Sequence, residues 1–71
     1  MDLDPLGNDL RQRRRRLGLT QAEVADLAGV SERFVRLLEG GKSSVRMDKL
    51  VAVLDVLGLE LHASIRKPTT P

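Results

Sequence analysis

The chain has 71 residues, of which 41% are hydrophobic, and a formal net charge of +2. A chain of this length forms one domain with a small core. It contains no Cys, which excludes disulfides and thiolate chemistry and fits a reducing compartment. No apolar run approaches the roughly 18 residues of a transmembrane helix, and residues 1–5 lack the basic start of a signal peptide. We therefore expect a soluble, cytoplasmic protein.

The first predicted helix opens at Pro5 and runs to about Leu17, with Gly18 as its C-cap. Its apolar residues recur at helical spacing and share one face. These residues are Leu6, Leu10 and Leu17.

Two shorter helices follow. Thr20 and Glu23 have the spacing of a capping box, so the second helix begins there, and Gly29 ends it. Ser31 is a favourable N-cap for the third helix, which runs to about Glu39. The apolar stripe of the second helix is predicted to be Val24, Leu27 and Ala28.

The fourth predicted helix runs from Met47 to Leu57 and ends at Gly58. Val51 and Val56 are apolar but lie off its buried stripe, and a second protomer would explain them. The stripe itself consists of Met47, Leu50, Val53, Leu54 and Leu57.

After Gly58 the hydrophobic period changes from helical to alternating. Residues 59–66 alternate apolar and polar, which is typical of a half-buried strand. No other segment is predicted as a strand, so the simplest partner is the same strand of a second copy; the alternative is a tail with chance alternation. The apolar face is Leu59, Leu61, Ala63 and Ile65, which we expect to form a dimer interface with Val51 and Val56.

The third helix has one buried and one outward side. Val35 and Leu38 mark the buried side, and Arg33 and Arg36 fall opposite it on the helical wheel. Ala25, Ala28 and Gly29 are small enough for the second and third helices to cross closely. This arrangement predicts a helix-turn-helix, whose second helix enters a major groove of double-stranded DNA.

The motifs LGLTQ at 17–21 and LEGGK at 38–42, with Val30 and Ser31 between them, resemble the Cro/repressor (XRE) helix-turn-helix family over roughly residues 10–59. More narrowly, SERFVRLLEGGK at 31–42, MDKLVAVLDVLGLEL at 47–61 and the closing strand resemble HipB-like antitoxins of type II toxin–antitoxin modules. In that subfamily the C-terminal strands of two protomers pair.

The resemblance implies base-reading positions at the start of the third helix. Arg33 or Arg36 would read a guanine, and Glu32 would accept from a cytosine amino group. Glu32 has an alternative role, which is to interact with the dipole at the helix N-terminus. The full base-reading set is Ser31, Glu32, Arg33 and Arg36.

The resemblance also implies contacts with DNA phosphates. Gln21 matches a family Gln that contacts a phosphate at a helix N-terminus; the alternative is an ordinary polar residue in a first turn. The segment after the third helix either lines the DNA backbone or is a solvated loop. The phosphate set is Gln21, Lys42, Ser43, Ser44 and Arg46.

Four consecutive arginines, residues 13–16, point all round the first helix. Arg11 and Arg15 face away from the leucine stripe, so we expect a solvated surface or a distant attraction to phosphate. Spacing alone does not choose between Arg13 and Arg14 for burial. The resemblance implies that Arg14 pairs with Glu39, and we expect the stem of Arg13 to pack while its head reaches solvent.

Nothing in the sequence indicates an enzyme. Phe34, the only Phe, Tyr or Trp, is expected in the core rather than stacked on bases, and the single His62 on the surface or at a dimer seam. No metal or cofactor is expected.

The sequence thus predicts an all-α repressor-like bundle of four helices (residues 1–58), a dimerisation strand (59–66) and a frayed tail (67–71). The expected function is a homodimeric, nucleoid-associated DNA-binding repressor, and as an antitoxin it would bind a HipA-like kinase toxin. One alternative is a stand-alone XRE regulator. Another is a protein-interaction module that does not bind DNA.

Overall fold

The computed structural model describes residues 4–41 and 44–62, which form four α-helices joined by short connections. Helix α1 is Asp4–Arg16, α2 is Gln21–Ala28, α3 is Glu32–Glu39 and α4 is Met47–Leu57. The predicted all-α fold with four helices is confirmed. Among the described residues, no helix is both long and apolar enough to cross a membrane.

The described part of the chain contains no strand. Residues 59–62 follow α4 without regular secondary structure. Residues 63–66, the rest of the predicted strand, and the predicted tail at 67–71 lie outside the described residues. The strand and its pairing across a dimer therefore stay predictions.

Helix α2 begins with a complete capping box. The Thr20 hydroxyl accepts a hydrogen bond from the Glu23 backbone N–H (3.0 Å), and the Thr20 N–H donates to Glu23 Oε1 (2.9 Å). The pKa of the Glu23 carboxyl is lowered below its usual range, mainly by the hydrogen bond from the Thr20 backbone N–H and to a smaller extent by the Thr20 hydroxyl. Two N–H groups that the helix leaves unpaired are thus satisfied locally.

The turn between α2 and α3 is short because Gly29 ends α2 in the left-handed conformation. Its φ of 71° lies in the left-handed region, which a residue with a Cβ adopts only at a cost. The Val30 N–H then donates to the Ala25 carbonyl (3.0 Å). Ser31 caps α3 by accepting from the Phe34 N–H (3.0 Å). Only three residues, 29–31, therefore separate α2 from α3.

The core lies where the four helices meet, since α2 packs on α3 and α4 while α1 packs on the same two helices. All of its fully buried side chains are aliphatic. They are Leu10, Val24, Ala25, Val35, Leu38, Leu50, Val53, Leu54 and Leu57.

Three residues that the sequence placed on buried stripes are exposed. Leu17 is 42% exposed because α1 ends at Arg16, so Leu17 no longer follows the face of Leu10. Leu27 is 66% exposed. The buried face of α2 is centred between Val24 and Ala25, and Leu27 lies on the side of Val24 opposite to Ala25. Met47 is 62% exposed because it is the first residue of α4, at the edge of the core.

Arg13 joins the end of α1 to the end of α4. Its Nε donates to the Leu57 carbonyl (2.9 Å), one of the carbonyls that a helix end leaves without a partner. A cation at this position also interacts favourably with the helix dipole. The expectation that the Arg13 head would simply reach solvent is therefore wrong.

Arg14 and Glu39 join α1 to the end of α3. Arg14 Nε donates to Glu39 Oε2 (2.7 Å) and Nη2 to Oε1 (3.0 Å), which makes the pair bidentate. The two side chains are only 11% and 6% exposed. The hydrogen bond to Glu39 raises the pKa of Arg14, against the opposing effect of burial. Nη1 also donates to the Leu19 carbonyl (2.9 Å), so this guanidinium is held on three sides.

Gly7 allows α1 to lie directly against the end of α3. A Cβ at this buried position would lie 2.6 Å from the Leu38 carbonyl oxygen and 2.7 Å from that of Glu39. Both neighbours are backbone atoms, which cannot turn aside as a flexible side chain can. The absence of a side chain at Gly7 therefore sets the distance between the two helices.

We predict that Gly7→Ala lowers the free energy of unfolding by about 1–3 kcal/mol, as overpacking does. In an exposed helix the same change would stabilise by roughly 1 kcal/mol. Urea unfolding measures the difference. Asn8→Ala, at the exposed neighbouring position, is the control and should change the free energy by no more than about 0.5 kcal/mol. A Gly7→Ala protein as stable as the control would contradict the close approach.

We predict that Arg14→Ala destabilises the domain by about 3–5 kcal/mol, because it leaves the Glu39 carboxylate buried without its partner. That is a large part of the total stability of a small domain. Arg15→Ala, at an exposed position on the same helix, should cost no more than about 0.5 kcal/mol. Equal small shifts of both thermal midpoints would show that the ion pair contributes little.

Candidate nucleic-acid interface

Helix α3 presents a mostly polar face to solvent, which also includes the exposed side chain of Leu37. Val35 and Leu38 are buried on the opposite side and anchor the helix to the core. Both the Ser31 cap and the Arg14–Glu39 pair act on this helix, one at each end. The four predicted base-reading residues, Ser31, Glu32, Arg33 and Arg36, are all exposed. α3 is therefore a rigid, short helix with two arginines turned outward.

Phe34 supports α3 from the side of α4. Its ring is partly buried against the core, so it is not available to stack on bases. Lys49 Nζ lies 5.8 Å from the ring centroid, within the range of a cation–π interaction. This contact between α3 and α4 was not predicted, since no sequence spacing relates residues on two helices of unknown crossing angle.

Gln21 lies at the first position of α2, but its side chain also belongs to the ion-pair network. Its Nε2 donates to Glu39 Oε1 (3.2 Å). A primary amide has two N–H donors, so one donor and the backbone N–H remain for a ligand. The Gln21 amide is thus linked, through Glu39, to Arg14.

In the segment between α3 and α4, Lys42 and Ser43 lie outside the described residues. Ser44 and Arg46 are exposed. Arg46 donates from Nε and Nη2 to the two carboxylate oxygens of Asp48 (3.1 and 2.8 Å). Partial desolvation acts to raise the pKa of Asp48, but hydrogen bonds from Arg46 and from backbone N–H groups outweigh it and lower that pKa. A phosphate at Arg46 would have to compete with this carboxylate.

The surface beside the start of α3 is acidic. Glu23, Asp26 and Glu32 lie around one shallow depression between α2 and the start of α3, which we call the acidic hollow. A carboxylate there repels a phosphate. Glu32 therefore faces a side of the molecule where a DNA backbone is disfavoured.

The residues expected in a dimer interface are spread over α4 and the segment after it. Val51 is 41% and Leu61 47% exposed. Val56 and Leu59 are partly buried against the protein's own core. Ala63 and Ile65 lie outside the described residues. Among the described members of this set, Val51 and Leu61 are the exposed large hydrophobic residues.

The described residues contain no cluster of three or more His, Asp or Glu side chains that could hold a metal ion. His62 Nε2 lies 3.2 Å from Glu60 Oε2, and both side chains are about 80% exposed. An exposed ion pair of this kind contributes little to stability.

Residues 5–63 match the family model of the helix-turn-helix domain. The uncharacterized HTH-type transcriptional regulator y4mF of Sinorhizobium fredii (strain NBRC 101917 / NGR234) is 38% identical over 56 residues, which cover 79% of this chain and 74% of the relative.

Two solved structures share the fold. A chain in the structure of the HipA-HipB-O2-O3 complex superposes with a TM-score of 0.84 over 94% of both chains at 21% identity. The restriction-modification controller protein C.AhdI from Aeromonas hydrophila has a TM-score of 0.75 and 29% identity, over 82% of this chain and 88% of its own. Three observations indicate the same family: the sequence match over most of the chain, the capped turn at Gly29 and the outward face of α3. This chain belongs to the helix-turn-helix domain family, in its Cro/repressor (XRE) type.

Proposed function

We propose that this chain is a sequence-specific DNA-binding transcriptional repressor. The observation that carries the proposal is the polar outward face of α3, which holds Arg33 and Arg36 on a helix capped at its start and tied down at its end. Regulators of this type insert such a helix into the major groove. The HTH-type regulator at 38% identity supports the same function.

Arg33 and Arg36 are proposed to donate to the O6 and N7 acceptors of guanine. Ser31 lies at the start of the same face, and Glu32 would accept from the amino group of a cytosine. The contacts that give affinity without sequence choice are assigned to a second set. That set is Gln21, Lys42, Ser43, Ser44 and Arg46.

We infer a homodimer that binds a palindromic operator. Two copies paired through residues 59–65 about a two-fold axis would present their α3 helices to successive major grooves, roughly 34–36 Å apart. The exposed Val51 and Leu61 support an apolar interface on this side. An interface also adds buried apolar surface to the small aliphatic core that the described residues form.

A narrower proposal is that the protein is the antitoxin of a type II module that represses its own operon and binds a HipA-like kinase. Support comes from the motifs at 31–42 and 47–61 and from the shared fold with a chain of the HipA-HipB-O2-O3 complex. The alternative is a stand-alone regulator, which the likeness to the controller protein C.AhdI supports. A kinase gene beside the coding sequence, whose product co-purifies with this chain, distinguishes the antitoxin from the regulator.

The base-reading assignment is tested by selecting bound sequences from a random duplex pool. Arg33→Ala or Arg36→Ala should each cost about 1–3 kcal/mol on the selected site and relax preference at one or two base pairs per half-site. Lys42→Ala is the comparison, since loss of a phosphate contact weakens binding to all sequences similarly. If both arginine variants keep the wild-type preference, α3 does not read bases through them. If the wild type shows no salt-dependent binding, the chain is an interaction module instead.

The dimer is tested by deleting residues 59–71. The truncated chain should sediment as a monomer and lose most of its affinity for the palindrome, because each half-site then binds alone. Circular dichroism must show that the four helices remain. A truncated protein that stays dimeric and binds equally tightly would assign the interface to other residues.

A further inference from the structure

A second depression, of about 420 Å³, lies between α1, α2 and the C-terminal half of α3. We call it the basic hollow. The residues of its lining that bear on its chemistry are Arg11, Arg14, Arg15, Gln21, Arg36 and Glu39. It brings Arg11 and Arg15 of α1, for which the sequence left open a solvated surface or a distant attraction to phosphate, beside Arg36 of α3.

The charges of the basic hollow do not cancel. Among the described residues that line it, Glu39 is the only carboxylate, and the bidentate pair with Arg14 already occupies both carboxylate oxygens. Arg11, Arg15 and Arg36 form no ion pair with any described side chain. Three exposed guanidinium groups therefore share one concave surface without a counter-charge.

This concentration of charge favours an anion. Arg11 and Arg15 are four residues apart on α1, so they lie on the same face and repel each other. A concave surface of one sign of charge focuses the electrostatic potential. A guanidinium donates two parallel hydrogen bonds to phosphate oxygens, which suits it to phosphate better than to a small halide.

The start of α2 adds to the same surface. Gln21 is the first residue of that eight-residue helix and lines the hollow beside the arginines. Glu39 holds one N–H of the Gln21 amide, which fixes the amide in position and leaves its second N–H for a ligand. The hollow therefore combines positive charge with a positioned neutral donor.

We infer that the basic hollow binds a phosphate of the DNA backbone, with Arg11 and Arg15 as direct ligands. The inference rests on the proposed function. Arg36 connects the two surfaces, because it lies both on the outward face of α3 and at the edge of the hollow. The hollow is open to solvent, so a DNA strand that borders the groove holding α3 would pass over it. Arg11 and Arg15 thereby extend the phosphate contacts from α2 onto α1.

The test compares Arg11→Gln and Arg15→Gln with Arg16→Gln. Arg16 is the matched control because it is exposed on the same helix, loses the same charge and lies outside the hollow. Binding to a mixed-sequence DNA duplex is measured against salt concentration. Each of the two hollow variants should reduce the slope of log K against log salt by about 0.9. Arg16→Gln should leave the slope within error of the wild type, and all thermal midpoints should agree.

The outcomes separate this inference from the proposed function. If the wild type binds the duplex and the hollow variants keep the slope of Arg16→Gln, the backbone does not contact Arg11 and Arg15, and the regulator role stands. If the wild type does not bind DNA, the proposed function fails. If inorganic phosphate at constant ionic strength shifts the Arg11 and Arg15 Nε–H resonances while the DNA slope is unchanged in the variants, the hollow binds free phosphate and the DNA assignment is overturned.

Discussion

The position of α3 depends on one buried ion pair. Arg14 reaches from α1 to the Glu39 carboxylate at the end of α3 and to the Leu19 carbonyl before α2, so a single guanidinium joins three segments. Burial of this charge is costly, and the cost is offset because each of its nitrogens has an acceptor. Gln21 adds a fourth group to the same carboxylate. The helix that would enter a DNA groove is thereby tied at its C-terminal end to α1 and to the start of α2.

Short helices need such external ties, because α2 and α3 have eight residues each and isolated helices of this length do not persist in water. The caps at Thr20 and Ser31 satisfy their first N–H groups. Next to Arg14 on α1, Arg13 donates to the Leu57 carbonyl in the last turn of α4. The adjacent arginines therefore have different partners, Arg13 on α4 and Arg14 on α3, and together they hold α1 across the bundle.

Local features were predictable from the sequence, and features set by helix packing were not. The capping box at Thr20, the reversal at Gly29 and the start of α3 after Ser31 follow from residue types within a few positions of one another. The prediction that Leu27 is buried is wrong because a helical wheel gives the direction of each side chain but not which directions the neighbouring helices cover. The roles of Arg13 and Arg14 depend on distant acceptors, at Leu57 and Glu39, whose positions only the packed bundle defines. For Arg14 a family resemblance supplied what spacing left open.

The charge on the surface changes sign along α3. Glu32, at its start, faces the acidic hollow, and Arg36, one turn later, borders the basic hollow. Phosphates are repelled by the first and attracted by the second, so a duplex docked on α3 has an electrostatically preferred side. Its backbone would lie towards α1, and Glu32 would be placed away from it, where a cytosine amino group in the major groove can act as donor. The same asymmetry that orients the duplex thus makes a carboxylate acceptable on a DNA-binding helix.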